Sequence, residues 1–285
     1  MDNKLTGIFQ ILLGGALFGL IPVFVRFGQS INTSTLVFFR VFFGAFFMFL
    51  IIKVLRRKIT PFKQERVKLV LWSFTTMLAI GFYFMALKLI DIAPAVLLLY
   101  SYSIFIILFS RFWLKEKIHG HTIVALVLSI VGVILILSPS GFKFQGNALG
   151  YLFALCSAFW AGLNFIIPKK YFKGYDPYSL TFYQGLWQLP VLFIFLILQP
   201  PTFSFTNMSI FAALGLFCSA LSFLLVYSGS RKIHGQYVGV LMTTEVLVSI
   251  LLGVLLFSEI PSPIVVVGGI LLIIGYALIF LKARS

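Results

Sequence analysis

Long apolar runs, each closed by a short polar or basic break, follow one another along the whole chain. A helix needs about 20 apolar residues to cross roughly 30 Å of hydrocarbon. Runs of that length fall at 6–28, 34–52, 67–87, 92–110, 120–138, 147–167, 178–199, 207–230, 236–257 and 263–281. The pattern predicts ten transmembrane helices and an all-α integral membrane protein. A β-barrel would show alternating segments of about ten residues, whereas these runs are continuous. The narrowest separations are Lys88, Asp91 and Pro94 between helices 3 and 4, and the segment SEIPSP between helices 9 and 10. No small-residue cleavage site follows the first run and many runs come after it, so it is read as a retained span.

Composition agrees, since 61% of the 285 residues are hydrophobic and 10% are charged, against about 25% charged in soluble domains. The net charge of +15 would suggest nucleic acid in a soluble protein; here its placement makes it a topology signal. Loop 2–3 carries Lys53, Arg56, Arg57, Lys58, Lys63, Arg66 and Lys68, and the loops after helices 4, 6 and 8 add eight more basic residues. With Lys4, Lys282 and Arg284, 18 basic residues fall on one side, against Arg26, Lys88 and Lys143 on the other. The positive-inside rule then puts both termini in the cytoplasm of a multi-pass cell-membrane protein. Cys156 and Cys218 lie inside apolar runs and read as small buried residues, with no disulfide framework and no metal-ligand spacing.

Shifting the chain by 142 to 144 residues brings features into register. Glu116 meets Glu259, Gly132 meets Gly275, Ala16 meets Ala158, and Thr35, Leu36 and Phe38 meet Ser179, Leu180 and Phe182. Loop 2–3 is strongly basic while its counterpart, 199–207, has no basic residue. Five spans per copy is an odd number, so the second copy enters the membrane inverted. The expected organisation is two inverted five-helix repeats, 1–142 and 143–285, an architecture that places a solute site near the midplane between halves that move against each other.

The segments TLVFFRVFFGA around Arg40, AVLLLYSYSIFIILFSRFWLKEKI ending helix 4 and TTEVLVSILLGVLLFSEI in helix 9 resemble the EamA-type branch of the drug/metabolite transporter superfamily, over nearly the whole chain. The resemblance implies a transporter that exports or exchanges small metabolites, amino acids or drugs. Members often carry Pro in the middle of helices 4 and 9, where this chain has Ser103 and Val246, so a proline hinge is not expected there; Pro94 lies lower in helix 4.

Glu245 is the single acidic residue near the middle of a span, and a charge at the bilayer centre costs about 2.5–3.5 kcal/mol on insertion scales. It either binds a cationic group of the solute or a coupling proton, or is a structural carboxyl bonded to neighbours such as Thr243 and Thr244. Arg40, inside helix 2, meets an anionic group of the solute, pairs with Glu245, or snorkels to the surface or bonds backbone carbonyls. On helix 7, Tyr183 with Trp187 and Gln184 with Gln188 are spaced i, i+4, so each pair shares one side. Tyr100 and Ser103 share a face of helix 4, with Tyr102 pointing elsewhere, and helix 6 offers Trp160 and Asn164. These residues are candidate walls of a solute cavity; interfacial belts are the ordinary alternative for Tyr and Trp. Gly15 and Gly19, and again Gly235 and Gly239, have the spacing of close helix packing. His119, His121 and His234 sit in loops beside basic residues and read as loop residues without function. No nucleotide-binding or hydrolase motif appears, so the chain is read as a secondary transporter rather than an enzyme. Its partners are the solute, the bilayer and a candidate coupling proton, with no cofactor, no nucleic acid and no oligomeric state implied. The runner-up is a nucleotide-sugar or phosphate-ester exchanger, which a single deep Arg40 disfavours.

Overall fold

A computed structural model describes residues 3–28, 31–61, 65–90, 92–137, 147–198, 205–258 and 260–284. Lys63, Asp91, Lys143, Glu259 and most of loop 199–207 lie outside the described residues. Among the described residues, ten helices are long and apolar enough to cross a membrane. They are called spans 1 to 10: Asn3–Phe27, Thr33–Val54, Arg66–Leu87, Pro94–Phe112, Gly120–Leu137, Ala148–Tyr171, Pro177–Leu198, Asn207–Ser230, Gly235–Phe257 and Pro263–Lys282. Among the described residues there is no β-strand. The bundle turns apolar side chains outward, such as Phe42, Phe46 and Phe49 of span 2, Ile194 and Ile197 of span 7 and Ile270 and Ile273 of span 10, as a lipid-facing surface requires.

Packing follows the register seen in the sequence. Spans 2 and 7, 4 and 9, and 5 and 10 each pack on their own counterpart. Span 1 lies on spans 8 and 9 as span 6 lies on spans 3 and 4, and span 2 meets span 8 as span 7 meets span 3. These pairings are exchanged for one another when each span is replaced by the one five places along. The small residues make this possible. A Cβ on Gly132 would stand 2.7 Å from the Gly268 carbonyl oxygen across the seam of spans 5 and 10, and one on Gly239 would stand 2.9 Å from that of Ser103 across spans 4 and 9.

Three spans are interrupted. Span 1 breaks between Phe18 and Ile21, just before Pro22. Span 4 breaks at Ser101 and span 9 at Thr243, positions 142 residues apart. Neither break uses proline. Ser101 Oγ donates to the Leu98 carbonyl at 2.5 Å and Thr243 Oγ1 to the Val240 carbonyl at 2.7 Å, each reaching back three residues. Such hydroxyl back-bonding competes with the helical ladder and bends it. A missing proline therefore did not mean an unbroken helix.

The basic loops converge on one side. Arg57 pairs with Asp176 at 3.5 Å, the Thr60 amide donates to Ser179 Oγ at 2.9 Å, and Tyr183 Oη donates to the Thr60 carbonyl at 2.9 Å. Arg231 donates to the carbonyls of Phe172 and Tyr175; burial lowers its pKa, with the Asp176 carboxylate opposing the shift. Glu116 takes Lys169 Nζ at 3.0 Å and the Gly235 amide at 3.0 Å. Loops 2–3, 4–5, 6–7 and 8–9 are thereby tied together into a closed plate. At the opposite side the Asn147 amide donates to the Leu89 carbonyl at 3.3 Å and Arg26 lies over the Phe257 ring at 4.0 Å, which joins loops 5–6 to 3–4 and 1–2 to 9–10.

Candidate functional site

The polar residues of the spans gather around a hollow of about 700 Å³, including its open mouth. Its walls include Arg40 of span 2, Thr76 and Tyr83 of span 3, Tyr102 of span 4, Asn164 of span 6 and Glu245 of span 9. A second space of about 450 Å³ shares Arg40, Thr76, Ile80 and Phe223 with it and continues to Thr181, Gln184 and Gln188 of span 7. Both halves of the chain therefore line one interior, in which these polar groups stand among apolar walls.

Glu245 opens the first turn after the break at Thr243, where the interrupted ladder directs it into the hollow. Tyr102 Oη donates to Glu245 Oε1 at 3.5 Å, and the Tyr100 ring lies 5.8 Å from that of Tyr102 between centroids. Behind Glu245 stands span 1, whose Gly19 approaches so closely that a Cβ there would be 2.7 Å from the Glu245 carbonyl oxygen. The Gly15–Gly19 pair thus presses span 1 against the turn that carries the acid.

Arg40 neither snorkels nor forms an ion pair with Glu245. Its Nε donates to Ser219 Oγ at 3.1 Å and one terminal nitrogen donates to the Cys218 carbonyl at 2.9 Å. That carbonyl is available because span 8 winds as a π-helical turn over Leu216–Leu221, a distortion that frees backbone groups and recurs at functional sites. The sequence carries no signal for it. The guanidinium is held in place by span 8 and lines the hollow together with Glu245.

Asn164 and Gln184 form the hub of a buried network. Asn164 Oδ1 accepts from Gln184 Nε2 at 2.7 Å and from Thr75 Oγ1 at 3.2 Å. Tyr227 Oη donates to Gln184 Oε1 at 2.9 Å, Gln184 Nε2 donates to Thr76 Oγ1 at 2.8 Å, and Trp72 Nε1 donates to the Asn164 carbonyl at 3.0 Å. Gln188 Nε2 donates to the Gln184 carbonyl at 2.9 Å. Spans 3, 6, 7 and 8 are joined here by buried bonds that fix their relative geometry.

Other candidates stand elsewhere. Tyr183 and Trp187 face the aromatic cluster of Trp72, Phe172, Tyr175 and Tyr227 beneath the closed plate. Ser103 is buried and donates to the Gly239 carbonyl at 2.8 Å, while Tyr100 and Ser103 also line an apolar cleft toward spans 5 and 9. Thr244 donates to the Leu241 carbonyl at 2.7 Å and faces Gly15. Trp160 packs edge-on against Phe159 and is not among the residues lining the hollow. One expectation is corrected. Tyr100 and Ser103 share a face and Tyr102 points elsewhere, but it is Tyr102 that lines the hollow and donates to Glu245, while Tyr100 and Ser103 line the cleft. Cys218 is buried and Cys156 half-buried, both as free thiols.

Comparison with known proteins places this architecture. The chain is 28% identical over 271 residues to an uncharacterized transporter of Archaeoglobus fulgidus, covering 94% of each protein. It is 28% identical over 199 residues to the human solute carrier family 35 member G1, covering 65% of this chain and 52% of that protein. A solved crystal structure superposes with a TM-score of 0.85 at 20% identity, over 99% of this chain and 97% of the other, which supports the fold. The model of the EamA-like transporter family matches twice, over residues 5–138 and again over 148–281. Ten spans, the doubled match and the transporter relatives agree: this chain is a multi-pass membrane transporter and belongs to the EamA-like transporter family.

Proposed function

We propose that the chain is a secondary transporter that moves a small zwitterionic solute of amino-acid type across the cell membrane by alternating access, in export or exchange. The observation that carries this reading is one hollow lined by one carboxylate and one guanidinium that do not neutralise each other. A solute ammonium sits at Glu245, with Tyr102 orienting the carboxyl, and a solute carboxylate sits at the free donors of Arg40, which match it bidentately. Desolvating both ends of a zwitterion is repaid only if each meets its partner, and this gives selectivity against solutes lacking either charge.

The repeats 1–142 and 143–285 are inverted copies that move against each other about this site, with the termini on the cytoplasmic side where the basic loops lie. In the conformation described, the basic side is closed by its loop-to-loop bonds. Opening requires spans 4 and 9 to bend at Ser101 and Thr243, where the ladder is already broken. Protonation of Glu245 competes with the solute ammonium, which provides coupling without a nucleotide. A ligand screen by thermal stabilisation of the purified protein tests the reading, because a bound solute raises the midpoint with concentration over affinity. Zwitterions that stabilise the wild type and fail with Glu245→Gln support it; stabilisation that survives both Glu245→Gln and Arg40→Gln overturns it.

A further inference from the structure

A further space of about 1110 Å³, open solvent included, lies among the basic loops, away from the hollow. Its walls carry Lys4, Lys169, Arg231, Lys232 and Lys282 against the single carboxylate Glu116. Three histidines close it, with the His119 ring 5.2 Å from His121 and 5.8 Å from His234 between centroids. Five cations facing one acid repel each other across a shared space. Two are committed to the protein: Lys169 bonds Glu116 and the Ile233 carbonyl, and Arg231 bonds the Phe172 and Tyr175 carbonyls. The ammonium groups of Lys4 and Lys232 have no partner among the described residues, and both line the cavity. The elements that contribute are the ends of spans 1, 6 and 10 and loops 4–5 and 8–9, the parts that form the closed plate.

We propose that this cavity is a phosphate-binding site, held chiefly by Lys4 and Lys232, whose occupant is a phosphate dianion or the phosphodiester headgroup of an anionic lipid. A phosphate group offers several acceptor oxygens to such a cluster. The positive-inside rule puts the site at the leaflet where anionic headgroups are enriched. Bound there, the anion offsets the repulsion between the ends of spans 1, 6, 8 and 10 and stabilises the closed plate. The site is independent of the solute hollow.

The test uses the full purified chain. Its thermal midpoint is followed by tryptophan fluorescence in neutral detergent with inorganic phosphate against chloride at matched ionic strength, and in nanodiscs of phosphatidylcholine with and without phosphatidylglycerol. The expected result is a saturable rise in midpoint, with the half-saturating anion level raised about tenfold or more in Lys4→Gln/Lys232→Gln. A rise with phosphate alone identifies a soluble anion, a rise with phosphatidylglycerol alone identifies the lipid, and both support the site. No rise with either, or an equal rise in the variant, overturns it. Should the double variant not fold, Lys4→Gln alone, on the exposed first turn of span 1, serves in its place. Glu245→Gln keeps the response, so failure here is distinguishable from failure of the solute reading.

Discussion

Replacing Glu116 by Ala removes a single carboxylate on which three elements of the closed plate converge. Its side chain is 12% exposed and that of Lys169 is 16% exposed, so the pair is largely shielded from water. One oxygen takes Lys169 Nζ and the Gly235 amide, and the other takes the Gln236 amide at 3.4 Å. The carboxylate thus caps the start of span 9 while tying it to span 6. Loss of a capping acceptor costs about 1 kcal/mol, and hydrogen bonds to charged groups contribute about 1.5–3 kcal/mol. Because Lys169 keeps the Ile233 carbonyl at 2.5 Å, the lower part of that range applies, and the sum is about 3 kcal/mol. At 1.4 kcal/mol per tenfold, this shifts the plate toward its open state about 100-fold. Ser230 lies beneath the plate with 3% exposure, so a cysteine placed there reports opening. In a background with Cys156 and Cys218 replaced by Ala, the rate at which Ser230→Cys reacts with a membrane-impermeant maleimide from the basic side should rise about 100-fold with Glu116→Ala, provided that opening is fast relative to labelling. Glu116→Gln, which keeps an acceptor for the Gly235 amide, should give a smaller rise. An unchanged rate in Glu116→Ala would refute the assignment of these bonds to the closure.

Further outcomes follow from the same geometry. Gly19→Leu forces span 1 away from span 9 and should cost at least the 1–3 kcal/mol typical of overpacking, read as a lower thermal midpoint, while Gly269→Ala, with nothing within 4 Å of its added Cβ, should leave the midpoint unchanged. Gln184→Leu takes from Asn164 Oδ1 its shortest donor and from Tyr227 Oη its nearer acceptor, leaving the 3.4 Å bond between the two, and should cost about 0.5–1.5 kcal/mol; a denaturation midpoint equal to wild type would show that the network does not hold spans 6, 7 and 8 together. Transport of a cationic or zwitterionic solute should decline as pH falls and Glu245 takes up a proton, and Glu245→Gln should be slow and flat with pH; a variant that keeps the wild-type profile excludes Glu245 as the titrating group. Thr243→Val removes the back-bond to Val240 and should straighten span 9, slowing exchange without abolishing solute-dependent stabilisation.

Much of the architecture was legible because the bilayer enforces it. A span must be long, apolar and internally bonded, so the predicted limits of span 8, 207–230, coincide with Asn207–Ser230, and the others differ by a few residues at their ends. The 142-residue register was legible through charge and glycine, and the packing returned it as paired spans and paired breaks. What composition did not carry was local backbone geometry. Family resemblance directed attention to proline for the interruptions in spans 4 and 9, but Ser101 and Thr243 make them with hydroxyls, which are common residues with no such signature. Helical spacing separates Tyr102 from the face of Tyr100 and Ser103, as the two cavities do, but it does not say which face meets the hollow. Arg40 illustrates the reverse case: its depth was evident, but its partners lie some 178 positions away on a π-helical turn that no periodicity announces. The three histidines and their basic neighbours read as scattered loop charges in one dimension, since only the folded loops collect them around one cavity.

Saturable counterflow in proteoliposomes tests the central claim most directly. Vesicles loaded with a zwitterionic amino acid should accumulate the labelled solute from outside, competitors lacking either the ammonium or the carboxylate should compete poorly, and Glu245→Gln and Arg40→Gln should each slow accumulation strongly. Counterflow indifferent to both substitutions, or flux that does not saturate, would contradict a carrier built around a carboxylate and a guanidinium on one shared hollow.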